Sequence, residues 1–141
     1  MLGSAAIMAF VATTDAERAR RFYGEMLGLT MKADEEYALV FDANGTMLRV
    51  QKVRSVPPAQ YTILGWRVDD IRATVSGLVG KGVAFERLGI PGFAQDDLGI
   101  WTAPDGTQVA WFKDPDGNML SLTQFPPAEL GYFLEADHSN R

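Results

Sequence analysis

Apolar residues recur along this chain at two spacings, every second residue and every third or fourth, and the spacing switches in a repeating order. Residues 5–12, AAIMAFVA, predict a strand. Thr14-Asp15 then offers a helix N-cap ahead of Ala16, Glu17 and Arg18, since a short oxygen-bearing side chain satisfies the free N–H groups of a first turn. Ala19, Phe22, Tyr23, Met26 and Leu27 share one helical face, and Gly28 closes the helix. Residues 29–33 and 36–41 predict strands, with a turn at Asp42-Ala-Asn-Gly45. Residues 46–53 alternate, with Leu48 and Val50 on one face and Arg49 and Gln51 on the other.

After a Pro-containing connector at 55–58 the order repeats. Residues 61–68 predict a strand, and Asp69-Asp70 cap a helix with Ile71, Val75, Leu78 and Val79 on one face, closed by Gly82. Residues 83–87, 98–103, 107–113 and 118–124 predict strands. A Gly- and Pro-rich loop spans 88–96, and Asp105, Asp114 and Asp116 are read as turn residues. The tail predicts a short helix around 128–135. Asp42-Ala-Asn-Gly-Thr-Met-Leu echoes Asp114-Pro-Asp-Gly-Asn-Met-Leu 72 residues later, and Asp15 and Gly28 echo Asp69 and Gly82 at a spacing of 54. Two echoes in one order predict a duplicated unit. The expected fold class is α+β, with one βαβββ module over 1–57, a second over 58–125 and a C-terminal tail over 126–141.

The 141 residues, 47% apolar and 22% charged, suffice for a packed core and exclude wholesale disorder. Thirteen basic against eighteen acidic residues leave a net charge of −5, so neither nucleic acid nor an anionic membrane is an expected partner. No cysteine is present, which removes disulfides, thiolate metal sites and a Cys nucleophile. The single histidine, His138, cannot supply a two-histidine metal site and limits imidazole acid–base chemistry to a tail that folds back. No stretch approaches the ~18 to 20 apolar residues of a membrane span. Residues 5–12 lack the basic flank of a signal peptide, so a cytoplasmic location is the expectation.

Three runs carry a resemblance to a known superfamily: Val11-Ala-Thr-Thr-Asp15 with Arg21-Phe22-Tyr23 and Leu27-Gly28-Leu29; Trp66-Arg-Val-Asp-Asp70 with Gly80-Lys-Gly-Val83; and Phe112-Lys-Asp-Pro-Asp-Gly-Asn118 with Leu120. Together they resemble the vicinal oxygen chelate superfamily of glyoxalase I, extradiol dioxygenases and bleomycin-resistance proteins. The resemblance implies two βαβββ modules, each a curved sheet with a helix on its convex side, that cup a pocket. It also implies a homodimer.

Enzymes of that superfamily hold a divalent metal with one side chain from the first and one from the last strand of each module. The matching positions here are Met8, Ile63, Ser121 and Arg49, with Gln51 as the neighbouring choice for the last. Thioether, hydrocarbon, hydroxyl and guanidinium groups do not suit a divalent ion that wants carboxylate or imidazole. The expectation is no metal, no cofactor, and no glyoxalase I or extradiol dioxygenase activity. A metal enzyme using Gln51 and a partner-chain carboxylate stays open as a lesser alternative.

The expected ligand-binding residues are Met8, Phe10, Arg49, Gln51, Ile63, Arg67, Trp101, Trp111 and Ser121, a mostly apolar set. Met8 and Phe10 are equally readable as core, and Trp101 and Trp111 as core or dimer interface. Arg49 reads either as one half of an ion pair or as an anchor for a ligand anion. The resulting expectation is a small-molecule-binding protein resembling drug-sequestering members. The alternative is a metabolite-converting lyase, isomerase or dioxygenase-like enzyme of the same superfamily, and catalytic residues are not assigned.

Overall fold

The structure, a computed structural model, describes residues 1–127. Its first sheet holds β1 (Met8–Thr13), β2 (Thr30–Asp34), β3 (Ala38–Ala43) and β4 (Thr46–Lys52) in the order β1-β4-β3-β2. The second holds β5 (Leu64–Arg67), β6 (Trp101–Thr102), β7 (Gln108–Lys113) and β8 (Met119–Gln124) in the order β5-β8-β7-β6. In each sheet the first strand runs parallel to the last, and the other pairs are antiparallel. A helix follows each first strand, α1 (Ala16–Arg20) and α2 (Ile71–Gly80). This is the α+β fold of two βαβββ modules.

Local chemistry explains the elements. Asp15 and Asp70 cap α1 and α2, each carboxylate accepting an N–H from three residues on, Arg18 and Ala73, at 3.1 Å. The two caps are therefore 55 residues apart, and Asp69 is not the counterpart of Asp15. α1 continues into a wider, π-helical turn over Arg21–Met26 that brings the adjacent Phe22 and Tyr23 both into the core. Asn44 and Gly45 both have positive φ, 51° and 92°, so the β3–β4 hairpin turns on the tight geometry that Asn-Gly favours.

Three expectations need correction. Residues 83–87 form no strand; Phe85 makes one bridge to Phe112 and Glu86 N–H donates to the Trp111 carbonyl at 2.7 Å. Beyond that point the Gln95 side chain claims the backbone, accepting from Leu88 N–H and donating to the Glu86 carbonyl, so the chain leaves the sheet. The strand at 98–103 shrinks to Trp101–Thr102 for the same reason. Val79 is 52% exposed rather than buried, because α2 covers the sheet along Ile71, Val75 and Leu78 and ends one residue later. The tail helix expected at 128–135, and His138, lie outside the described residues.

One continuous core joins both modules. Phe22 of the first meets Phe112 of the second with ring centroids 6.3 Å apart. The edge strands β1 and β5 lie side by side, and the turn before β8 is plugged into the β1–α1 junction. Asp114 accepts the Tyr23 hydroxyl at 2.6 Å, Asn118 Nδ2–H at 2.8 Å, and the N–H groups of Asp116 and Asn118. Asn118 also donates to the Ala12 carbonyl at 2.8 Å. Asp116 accepts Thr13 Oγ1–H at 2.5 Å, Thr14 Oγ1–H at 2.7 Å and Thr14 N–H at 2.8 Å, with Arg18 3.5 Å away. Asp114 and Asp116, expected as plain turn residues, thus fasten one module to the other within a single chain. Burial, then the charge and hydrogen bond of Asp114, push the Tyr23 hydroxyl far above its ordinary range, so it is a permanent donor.

Candidate functional site

Strand alternation separates a helix-covered face from an open one. Val11, Leu48 and Val50 face the core, while Met8, Phe10 and Met47 are 42–47% exposed on the opposite face. Met8 and Phe10 are therefore surface rather than core. In the second sheet Leu120, Leu122, Ala110 and Phe112 face the core, and Ser121, Thr123 and Trp111 share the open face.

The open face is built in three stretches. Phe10, Ala12, Gln51 and Ile63 line an open groove of about 750 Å³, walled by Val56, Pro57, Pro58, Gln60 and Tyr61 of the connector between modules. Next to it, Gly65 pairs with Ser121, which pairs with Trp111 on the far side. A Cβ on Gly65 would stand 3.0 Å from Ser121 Oγ, so glycine keeps this middle stretch low. At the outer edge Trp101 and Trp111 lie 6.3 Å apart between ring centroids, with Phe93 stacked on Trp101 at 4.7 Å.

The nine expected residues therefore divide. Phe10, Gln51 and Ile63 meet in the groove. Trp101, Trp111 and the buried Ser121 sit together on the second sheet. Met8 pairs with Met47 toward the other end of β1, and exposed Arg67 lies at the far end of β5. Arg49 forms an ion pair with Glu35 at 2.8 Å, and the guanidinium is thereby engaged on the β2–β3 side. Trp66 packs on Phe112 on the helix side, as its register demands. Asp96 accepts the N–H groups of Leu98 and Ile100 and pairs with Arg72 of α2. Burial works against that carboxylate, but the N–H groups of Ile100 and Leu98 and the charge of Arg72 outweigh it and hold it below the usual range.

The connector wall and Phe93 were missed by sequence reasoning. Neither lies on a periodic element, so alternation assigns them no face. The usable signal was composition: Pro57-Pro58 followed by Tyr61 is stiff and apolar, unlike a solvated linker.

A family model described as Glyoxalase/Bleomycin resistance protein/Dioxygenase superfamily matches residues 5–122. The chain belongs to that superfamily. Solved structures agree on the fold. A glyoxalase/bleomycin resistance protein/dioxygenase from Alicyclobacillus acidocaldarius superposes with a TM-score of 0.66 at 15% identity, over 90% of this chain and 96% of that one. A lactoylglutathione lyase from Agrobacterium tumefaciens gives 0.61 at 19% identity, over 85% and 93%. TnmS3, an antibiotic binding protein from Streptomyces sp. CB03234, gives 0.62 at 25% identity, over 87% and 98%. No curated protein sequence matches.

The glyoxalase/bleomycin-resistance register lets the metal question be put to the side chains. Phe10 pairs with Arg49 in the first sheet as Gly65 pairs with Ser121 in the second, and Met8 and Ile63 each stand seven residues before a helix cap. Met8, Ile63, Ser121 and the Glu35-paired Arg49 offer no carboxylate or imidazole, so this donor set does not fit a divalent ion. Among the described residues no three His, Cys, Asp or Glu side chains are grouped to hold one.

Proposed function

We propose that this superfamily member is a binding protein for a neutral, largely apolar small molecule with aromatic character. The ligand lies in the groove under the connector and extends toward the tryptophans, with no metal held by the chain. The observation that carries this reading is the lining itself. None of the residues around the groove bears a formal charge, and its polar groups are the amides of Gln51, Gln60 and Asn118 and the Tyr61 phenol. Asn118 gives both its N–H groups to Ala12 and Asp114, so the donors left to orient a ligand are those of Gln51, Gln60 and Tyr61.

A cationic drug meets no carboxylate among the residues that line the groove, and an anion meets no guanidinium among them; Arg49 is paired with Glu35. The same lining favours sequestration over turnover, because amides do not transfer protons at neutral pH and the groove is lined by no carboxylate, imidazole or amine. The antibiotic binding protein of the same fold is in keeping with sequestration of a drug-like molecule.

The test is a thermal-shift panel on chelator-stripped protein, with neutral aromatic compounds, cationic drugs, small aromatic acids and divalent metals added separately. A neutral ligand at ~100 times its Kd adds about 2.7 kcal/mol and a clear rise in Tm. A saturable response to nickel, zinc or iron, or to acids alone, overturns the reading.

A further inference from the structure

The loop between α2 and β6 carries an aromatic side chain where a ligand would be expected. Phe93 lies parallel to Trp101, 17° between planes, and its centroid is 5.6 Å from that of Trp111. By register the two tryptophans are on the open face: Trp101 pairs with Val109, and Val109 and Trp111 alternate with the core residues Ala110 and Phe112. Phe93 thus covers part of the same face that holds the groove.

The base of this loop is fastened and its apex is not. Gln95 bonds Leu88 N–H and the carbonyls of Glu86 and Gly99. Arg87 donates to the carbonyls of Asp96 and Asp97, and Asp96 is tied to Arg72. Between these staples run Gly89, Ile90, Pro91, Gly92 and Phe93. Gly89 and Gly92 have φ of +66° and +78°, and a Cβ at either would meet nothing within 4 Å. Ile90 is 54% exposed. The apex turns through the Phe93 N–H to the Ile90 carbonyl at 3.0 Å, and what seats it is the Phe93 ring. Two glycines, the residue type that changes backbone angle at least cost, flank an apex that the Phe93 ring holds down through its contacts with Trp101 and Trp111.

We propose that Phe93 is a displaceable stopper: the 89–93 apex swings about its glycines, the ring leaves Trp101 and Trp111, and a planar aromatic part of the ligand stacks in its place. This rests on the small-molecule reading above and names the class of ligand, one with a flat ring system that matches an indole face. Binding is then an exchange of one stack for another. Removing the internal competitor tightens binding by the worth of an aromatic pair, about 2- to 12-fold.

The test titrates 1-aminoanthracene, a neutral planar probe whose emission reports an apolar site, into the wild type, Phe93→Leu and Phe93→Ala. Phe93→Leu keeps apolar cover without a π-face, and its Tm controls for folding. In parallel, 5-fluorotryptophan is incorporated and the Trp101 resonance, assigned through Trp101→Phe, is followed without probe. The expected result is tighter binding in the order Ala, Leu, wild type, with wild-type Trp101 showing exchange toward the Phe93→Ala position. Equal or weaker binding in both variants makes Phe93 part of the wall and overturns the stopper, while the binding reading stands. Failure of the probe to bind any of the three overturns the stopper together with the aromatic-ligand reading.

Discussion

Replacing Asp116 with alanine tests whether the turn before β8 holds the two modules together. The Asp116 side chain is 2% exposed and takes two hydroxyls and one N–H from Thr13 and Thr14. A hydrogen bond to a charged acceptor contributes about 1.5–3 kcal/mol when nothing replaces it. Thr14 is exposed, so water re-satisfies its donors; Thr13 is 1% exposed, and its hydroxyl, which lies 3.0 Å from the Asp15 carbonyl, turns to that neutral acceptor. The Arg18 pair, at 3.5 Å with the guanidinium 44% exposed, adds little. Asp116→Ala is therefore expected to cost about 1–2 kcal/mol, or roughly 3–7 °C in Tm. Urea unfolding of Asp116→Ala, Thr13→Val and the double variant gives the coupling, expected near 1 kcal/mol or above. The pH dependence is a second check. Burial raises the Asp116 carboxyl, but the hydroxyl of Thr13, the N–H and hydroxyl of Thr14 and the charge of Arg18 outweigh it, so its pKa is lowered. A depressed folded pKa means the contribution is complete above the unfolded value of about 3.9 and is lost as pH falls through the folded one. The wild-type advantage should be flat from about pH 5 to 8 and shrink below about pH 4. A cost under about 0.5 kcal/mol, or an advantage unchanged at pH 3, refutes the fastening.

Tyr23→Phe removes one donor from buried Asp114 and should cost about 1.5–3 kcal/mol in urea unfolding, with no change in the ligand groove. Gly45→Ala places a Cβ at φ +92° in the β3–β4 turn and should cost about 1–2 kcal/mol by the same assay. Gly65→Leu should raise a side chain beside Ser121 and weaken binding of a ligand that spans the groove and the tryptophans more than tenfold by calorimetry, while the circular dichroism spectrum is kept. Arg49→Ala loses a partly exposed pair to Glu35 and should cost about 1 kcal/mol or less, with affinity for a neutral ligand unchanged; a tenfold loss would make Arg49 an anchor after all.

The sequence carried the fold wherever hydrogen bonding and burial obey a period. β1, β4, β7 and β8 alternate because each has one dry face, and the caps at Asp15 and Asp70 follow from unsatisfied N–H groups. Periodicity failed at 83–87, where Val83 and Phe85 alternate as in a strand but the Gln95 amide, seven to nine residues away, took the Leu88 N–H and the Glu86 carbonyl. The echo at a spacing of 54 failed for a related reason. Asp69 and Asp70 are chemically identical candidates, and only the path of the chain out of β5 decides which one caps α2.

The site was half legible for the same physical reason. Faces of strands follow from parity, so Phe10, Gln51 and Ser121 could be placed on one side from the sequence, whereas Trp101 and Trp111 were left between pocket, core and interface. What encloses that face is aperiodic: the Val56–Tyr61 wall and Phe93 are loop residues whose positions depend on distant anchors, Gln95 and Arg87 among them. The Asp-Pro-Asp-Gly-Asn run illustrates the converse. It is the most recognisable stretch of the chain, yet its two carboxylates and both N–H groups of the Asn118 amide are consumed in joining β8 to β1 and α1. A signature that fixes how two modules meet is blind to what the open face between them holds. On the proposed binding reading, ligand choice falls to the groove wall and the loop apex, where chains of one fold are free to differ.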